Sequence, residues 1–230
     1  MKIGSLIRTL TGRSYDIGSG DIGYLLQKGG APFVRGLLWS LVRLRRPKGL
    51  LLGKGIQFIS AGRLQMKRGV SIGAGSYVDC SAKAGITLGT KVTIRERAWI
   101  QGRSGLNMRA EGLWIGDMSY IGPNAVLGIG GPIRIGRNVQ AGAGLTLSAE
   151  SHTADAYGRF TSGHVHRLGI TIGDDCWFGN NVCVLDGVNI GDGCVIGAGA
   201  VVTHDITSGS VAVGVPARVI RRGGEIPHLP

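Results

Sequence analysis

A chain of 230 residues, 43% of them apolar, is long enough to bury a core of its own, and the simplest expectation is one domain with an N-terminal extension. Its net charge of +12 is uneven: residues 1–70 hold 13 Lys/Arg against 2 Asp/Glu, whereas residues 71–230 hold 13 against 12. A nearly balanced body argues against a nucleic-acid groove, which would carry its basic stripe on the folded domain, and the 42 glycines recur periodically rather than as low complexity.

In chain order, residues 1–20 contain one short apolar-basic patch (Ile3, Leu6, Ile7, Arg8) with no cleavage site after it, a poor secretory signal. The stretch APFVRGLLWSLVRLRR, Ala31 to Arg46, predicts a helix. Pro32 suits its first turn; Phe33, Leu37, Leu41 and Leu44, with Val34, Leu38 and Val42 beside them, make a broad apolar face interrupted by Arg35, Arg43, Arg45 and Arg46. At roughly 15 residues it is too short to span a bilayer, which needs about 20. It suits either an anionic membrane interface or packing on the end of its own fold. Pro47 to Lys54 is a connector, and Ile56, Phe58 and Ile59 begin strand-like sequence. The chain therefore divides into a basic, partly helical extension (1–53), a body (54–207) and a C-terminal cap and tail (208–230).

Within the body, ITIGDDCWFGNNVCVLDGVNIGDGCVIGAGAVVTHDI from Ile170 to Ile206 places Ile172, Phe178, Val184, Ile190, Ile196 and Val202 six apart, and four positions after each comes Cys176, Val182, Val188, Cys194, Ala200 or Ile206. A period of six fits neither an amphipathic helix nor an alternating hairpin; it fits a short strand and a turn, repeated. Two inward residues per hexad fill a narrow prism with glycine at its corners, and stacked hexads make a parallel β-helix. The coil leads are assigned to Ile72, Leu88, Ile115, Ile135, Ile172 and Ile190. Against an 18-residue coil, two intervals are long, and the excess falls around Arg103 to Glu111 and around Glu150 to Leu168. Long excursions from a regular scaffold are commonly functional. After Ser208, GVPARVIRR offers Val219 and Ile220 as cover for the last coil, and the tail GGEIPHLP is expected to be flexible.

The hexads followed by GVPARVIR closely resemble the hexapeptide-repeat O-acetyltransferases, the group of galactoside, maltose and polysaccharide acetyltransferases. The resemblance is dense from about Ile135 to Arg222, looser from about Val70, and leaves the first ~50 residues uncovered. It implies an all-β, left-handed parallel β-helix, a homotrimer, and acetyl-CoA as donor. Handedness comes from the resemblance alone, since parallel crossovers are normally right-handed.

Acyl transfer to a hydroxyl needs a base, and the loop ESHTADAYGRFTSGHVHRL holds three of the five histidines. Spacing and neighbours put His152 where the family carries its catalytic histidine. Glu150 or Asp155 could orient its imidazole, though a backbone carbonyl would serve equally. By resemblance, the backbone at Asn180 would stabilise the oxyanion and Trp177, outward because it follows inward Cys176, would wall the pantetheine channel. Ala198, Thr203 and His204 match positions bordering CoA, with His204 standing where a lysine is common. Arg218 and Arg221 match basic positions near the nucleotide end, and Asn124 resembles an active-site asparagine across a gap. The competing reading is a γ-carbonic-anhydrase-like zinc hydratase using His152, His164 and His166, which leaves Trp177 unexplained. A non-sugar acceptor and a non-catalytic scaffold also compete; outside the zinc reading no metal is expected. Cys80, Cys176, Cys183 and Cys194 show no C-x-x-C spacing, which suits a reduced, cytoplasmic compartment. Cys176 and Cys194, 18 apart, would stack as small inward residues within disulfide reach.

Overall fold

The computed structural model describes residue 23 and residues 26–105, 108–160 and 164–221. The patch at Ile3 to Arg8, Arg222 and the C-terminal tail lie outside them. The fold is a left-handed parallel β-helix of three sheets meeting at corners. The first sheet stacks Leu51–Leu52, Ser71–Ile72, Thr93–Ile94, Tyr120–Ile121, Gln140–Ala141, Trp177–Phe178, Val195–Ile196 and Val211–Val213, and ends with antiparallel Arg218–Arg221. The second stacks Gln57–Ile59, Tyr77–Asp79, Trp99–Gln101, Val126–Gly128, Thr146–Ser148, Cys183–Val184 and Val201–Val202; the third stacks Leu64–Met66, Ile86–Leu88, Leu113–Ile115, Ile133–Ile135, Ile170–Ile172 and Asn189–Ile190.

Successive hexads visit successive faces. Ile172 lies in the third sheet, Phe178 in the first and Val184 in the second, and the cycle restarts at Ile190. All six leads and all six following residues from Cys176 to Ile206 are buried. The inward row of the first sheet runs Ile72, Ile94, Ile121, Ala141, Phe178, Ile196, Ala212, so the widest side chain sits over a small one. The four cysteines are free thiols; those of Cys176 and Cys194 donate to the carbonyls of Gly191 (3.1 Å) and Thr207 (3.2 Å), as packed core residues do.

One assigned coil lead is corrected. Ile72 belongs to the first sheet, paired with Leu52 and Ile94, whereas the third-sheet neighbour of Leu88 is Met66. Every face buries the same residue types, so a hexad lead does not reveal its face once coil length changes. The long intervals hold two antiparallel ribbons, Arg103–Gly105 with Met108–Arg109 and Ser151–His152 with Val165–His166.

The helix α1 spans Ala31–Val42 and closes the first coil. It docks through Gly36 and Ser40, with Trp39 against Phe58, rather than through its apolar stripe. A side chain at Gly36 would run into the backbone of Leu50, so only glycine allows this approach. Val34, Leu38, Leu41 and Val42 face outward instead. The basic residues here have a structural task. In the first coil, Leu51 and Lys67 donate upward to the next coil, so the carbonyls of Leu52, Leu64 and Met66 point away from it, where the described residues form no further coil. Arg35 Nε donates to Leu52 O (2.8 Å), Arg45 Nη1 to Leu64 O (2.9 Å) and Lys48 Nζ to Met66 O (3.0 Å). Side-chain cations thus satisfy the open edge of the solenoid. At the other end, Val219 packs against the core, whereas Ile220 faces solvent.

Candidate functional site

Along the first sheet, the residues preceding each inward position form an outward row: Tyr120, Gln140, Trp177, Val195, Val211 and, across the antiparallel pair, Arg221. With strands about 4.8 Å apart, Trp177 and Arg221 stand roughly 14 Å apart along it. Beside Trp177 the row and the adjoining corner enclose a groove of about 310 Å³, lined by Tyr120, Gln140, Ala141, Gly142, Trp177, Phe178, Gly179, Asn180 and Ala198. Gly142 and Gly179 let its floor approach closely: a side chain on the first would strike Asn180, and on the second Ala198.

The corners explain the chemistry at Asn180. At the corner between the third and first sheets, the amide of one coil is satisfied by a side chain of the next. Thr90 N–H donates to Asp117 Oδ1, Arg137 N–H to Asp174 Oδ1 and Asp174 N–H to Asp192 Oδ1, each at 2.7 Å. In the groove the same device appears once, where Ala143 N–H donates to Asn180 Oδ1 at 2.8 Å. The Asn180 amide itself faces Ala198 of the next coil, which has no acceptor, and among the described residues it has no partner. A fixed, unpartnered N–H beside an exposed indole can bind an oxygen carrying negative charge.

His152 lies elsewhere. It is exposed on the hairpin leaving the corner between the second and third sheets, opposite Val165. Ser151 pairs with His166, and Thr153 N–H donates to His164 O at 2.9 Å. Alternation along a strand therefore puts His164 and His166 on one face of the ribbon and His152 on the other. This corrects the zinc reading, which needs the three to converge. No group of three His, Cys, Asp or Glu among the described residues could hold a metal ion. Both candidate orienting carboxylates are engaged by arginines: Asp155 Oδ2 with Arg159 Nη2 at 3.0 Å, and Glu150 Oε2 with Arg167 Nε at 3.4 Å.

The candidates thus divide. Trp177, Asn180 and Ala198 line the groove. Asn124, with φ +60° and its Oδ1 accepting from Arg97 Nε (2.8 Å), sits at the same corner on an earlier coil, where it also serves the turn. Thr203 and His204, bonded to each other at 2.8 Å, follow the second-sheet strand Val201–Val202, on the side of the His152 hairpin. Arg218 and Arg221 occupy the last strand of the first sheet. Within one chain the whole second sheet separates His152 from the groove. Sequence reasoning missed Tyr120, Gln140 and Gly142; the available signal was the shared phase of Tyr120 and Gln140 with Trp177 and of Gly142 with Gly179, hidden by the interval of 37 residues between Ile135 and Ile172.

The family described as "Hexapeptide repeat of succinyl-transferase" matches residues 112–149 and 169–204, the coils on either side of the hairpin. The galactoside O-acetyltransferase of Escherichia coli is 37% identical over 129 residues, covering 56% of this chain and 63% of that protein. A 2,3,4,5-tetrahydropyridine-2,6-dicarboxylate N-acetyltransferase of Staphylococcus aureus is 35% identical over 91 residues, 40% of this chain and 34% of its own. The chain thus spans less than two thirds of the length of these curated relatives. Among solved structures, a variant of the N-acyltransferase AntD from Bacillus cereus, in complex with dTDP and Coenzyme A, superposes with a TM-score of 0.50 at 16% identity, covering 74% of this chain and 82% of AntD, which supports the fold alone. Over residues 112–149 and 169–204 the chain carries the hexapeptide repeat, and it is similar there to acetyltransferases built on that repeat.

Proposed function

We propose that the chain is an acetyl-CoA-dependent O-acetyltransferase acting on a sugar hydroxyl, in the assembly of a bacterial surface polysaccharide. The observation that carries this reading is the groove beside Trp177 with its unpartnered Asn180 amide. In the mechanism, the imidazole of His152 takes the proton of the acceptor hydroxyl as its oxygen attacks the thioester carbonyl. The Asn180 N–H donates to the developing oxyanion, and collapse expels the CoA thiolate, which receives the proton held by His152. The pantetheine arm lies along Trp177 and Ala198, with Arg221 and Arg218 toward the phosphates.

Because His152 and the groove lie on different faces of one chain, the working site forms between subunits of a homotrimer, the groove of one facing the His152 hairpin of its neighbour. The relatives differ in acceptor, a galactoside oxygen in one and a nitrogen in the other. The direct test is an acetyl-CoA turnover screen against sugars, lipid-linked intermediates and amino-acid hydroxyls, run beside His152→Ala. Transfer to a sugar that the variant loses while still holding CoA is expected; unchanged turnover would remove His152 from the mechanism.

The enzyme is taken to work in the cytoplasm, with residues 31–46 against the inner face of the membrane. No helix among the described residues is long and apolar enough to cross a membrane. Support for a peripheral contact is the outward row Val34, Leu38, Leu41 and Val42, with Arg43 beside it. Flotation of the full chain, but not of Leu38→Asp, with anionic vesicles is the expected result, and equal failure to float would discard the contact.

A further inference from the structure

The hairpin bearing His152 leaves the solenoid between two coils and must be held there to aim an imidazole at a neighbouring groove. Beside the backbone ladder, one side chain from the coil above bridges its base. Asp186 Oδ1 accepts from Gly169 N–H at 2.8 Å, and Oδ2 accepts from Leu168 N–H at 3.2 Å and from Ser151 Oγ at 3.5 Å. One carboxylate therefore spans both legs, Ser151 immediately before His152 and Leu168 and Gly169 shortly after the returning strand Val165–His166. Below it, Glu150 and Arg167, each adjacent to one strand of the hairpin, face one another as an ion pair at 3.4 Å, and Gly131 N–H donates to Ala149 O. Glu150 Oε2 and Arg167 Nε are buried without a hydrogen bond, so that pair is imperfect and the side-chain hydrogen bonds that reach both legs at the base are those of Asp186.

We propose that Asp186 is the positioning residue of the His152 hairpin, setting where the imidazole stands without touching the reactants. This rests on the reading of His152 as the base. A carboxylate suits the task because it has two acceptor oxygens and the legs present three donors; an amide would turn one of its own donors toward a leg N–H.

The test uses the full-length chain as Asp186→Ala, Asp186→Asn and, in parallel, His152→Ala. Hydrogen exchange is followed over residues 149–153 and 164–169 and over the coils at 170–202; kcat and KM for acetyl-CoA are measured with the acceptor found in the screen. Asp186→Ala is expected to speed hairpin exchange by about tenfold, the loss of one to two hydrogen bonds. The coils should stay as protected as before, and kcat should fall by up to about 100-fold with KM for acetyl-CoA unchanged. Asp186→Asn, which keeps one acceptor, should fall between. Unchanged hairpin exchange in Asp186→Ala would overturn the proposal, as would loss of protection spread equally through the coils. Full turnover in His152→Ala would instead sink the catalytic reading, while the exchange data would still judge the clamp.

Discussion

Phe178→Ala would open the prism at its widest filling. Phe178 is completely buried in the inward row of the first sheet, between Ala141 on one coil and Ile196 on the next. The variant would leave two alanines in successive rungs, and the coils cannot close over the gap, because Gly142 N–H to Phe178 O (2.9 Å) and Gly179 N–H to Ile196 O (2.8 Å) fix their spacing. Transfer of the ring to water and an uncollapsed cavity together cost about 3–5 kcal/mol. Equilibrium urea unfolding should show a fall of that size, with the slope against denaturant unchanged. Because Phe178 also floors the groove, CoA affinity should drop in the same variant. A loss below about 1 kcal/mol would mean that the prism collapses or was never tightly filled, contradicting the packing account.

Trp177→Ala should weaken CoA binding about tenfold, roughly 1.4 kcal/mol, measured by calorimetry, with thermal stability preserved because the indole is exposed. Gly142→Ala, whose new methyl would push on Asn180, should lower kcat more than KM; wild-type turnover would separate the Asn180 amide from the chemistry. Glu96, hydrogen-bonded by Arg95 and facing Lys28, is held down to about 2 from an ordinary value near 4.5. A depressed carboxylate stabilises above its unfolded pKa and loses that contribution as pH falls through the folded one. Wild type and Glu96→Gln should therefore differ in melting temperature at pH 7 and converge as pH falls from about 4.5 toward 2. A gap that widens on acidification would contradict the pairing.

The solenoid is legible because its hexads repeat the same burial pattern, and six leads from Ile172 to Val202 leave room for no other period. Ile72 is misassigned for the same reason, since identical inward patterns on three faces carry no label for the face. For α1, hydropathy points to the apolar stripe as the docked side, whereas close approach to Leu50 selects Gly36 and Ser40. The excess of Arg and Lys in the first 70 residues suggests a membrane partner, and the sequence does not show that three of those side chains also cap carbonyls of the first coil. Of the candidate residues, Trp177 and His152 are singled out by motif and spacing, but their placement on different faces, and the hydrogen bonds of Asp186 to the hairpin, arise only when coils of unequal length are stacked.

Whether the groove of one subunit works with His152 of another is decided most directly by mixing two inactive variants. His152→Ala and Ala198→Trp, the latter filling the groove, would be unfolded together, refolded as a mixture and assayed for acetyl transfer beside each variant refolded alone. Each alone should be inactive and the mixture active, since a mixed assembly contains sites with an intact groove from one chain and an intact imidazole from the other. A mixture as inactive as its parents, with mixed assemblies verified by mass spectrometry, would contradict the shared site.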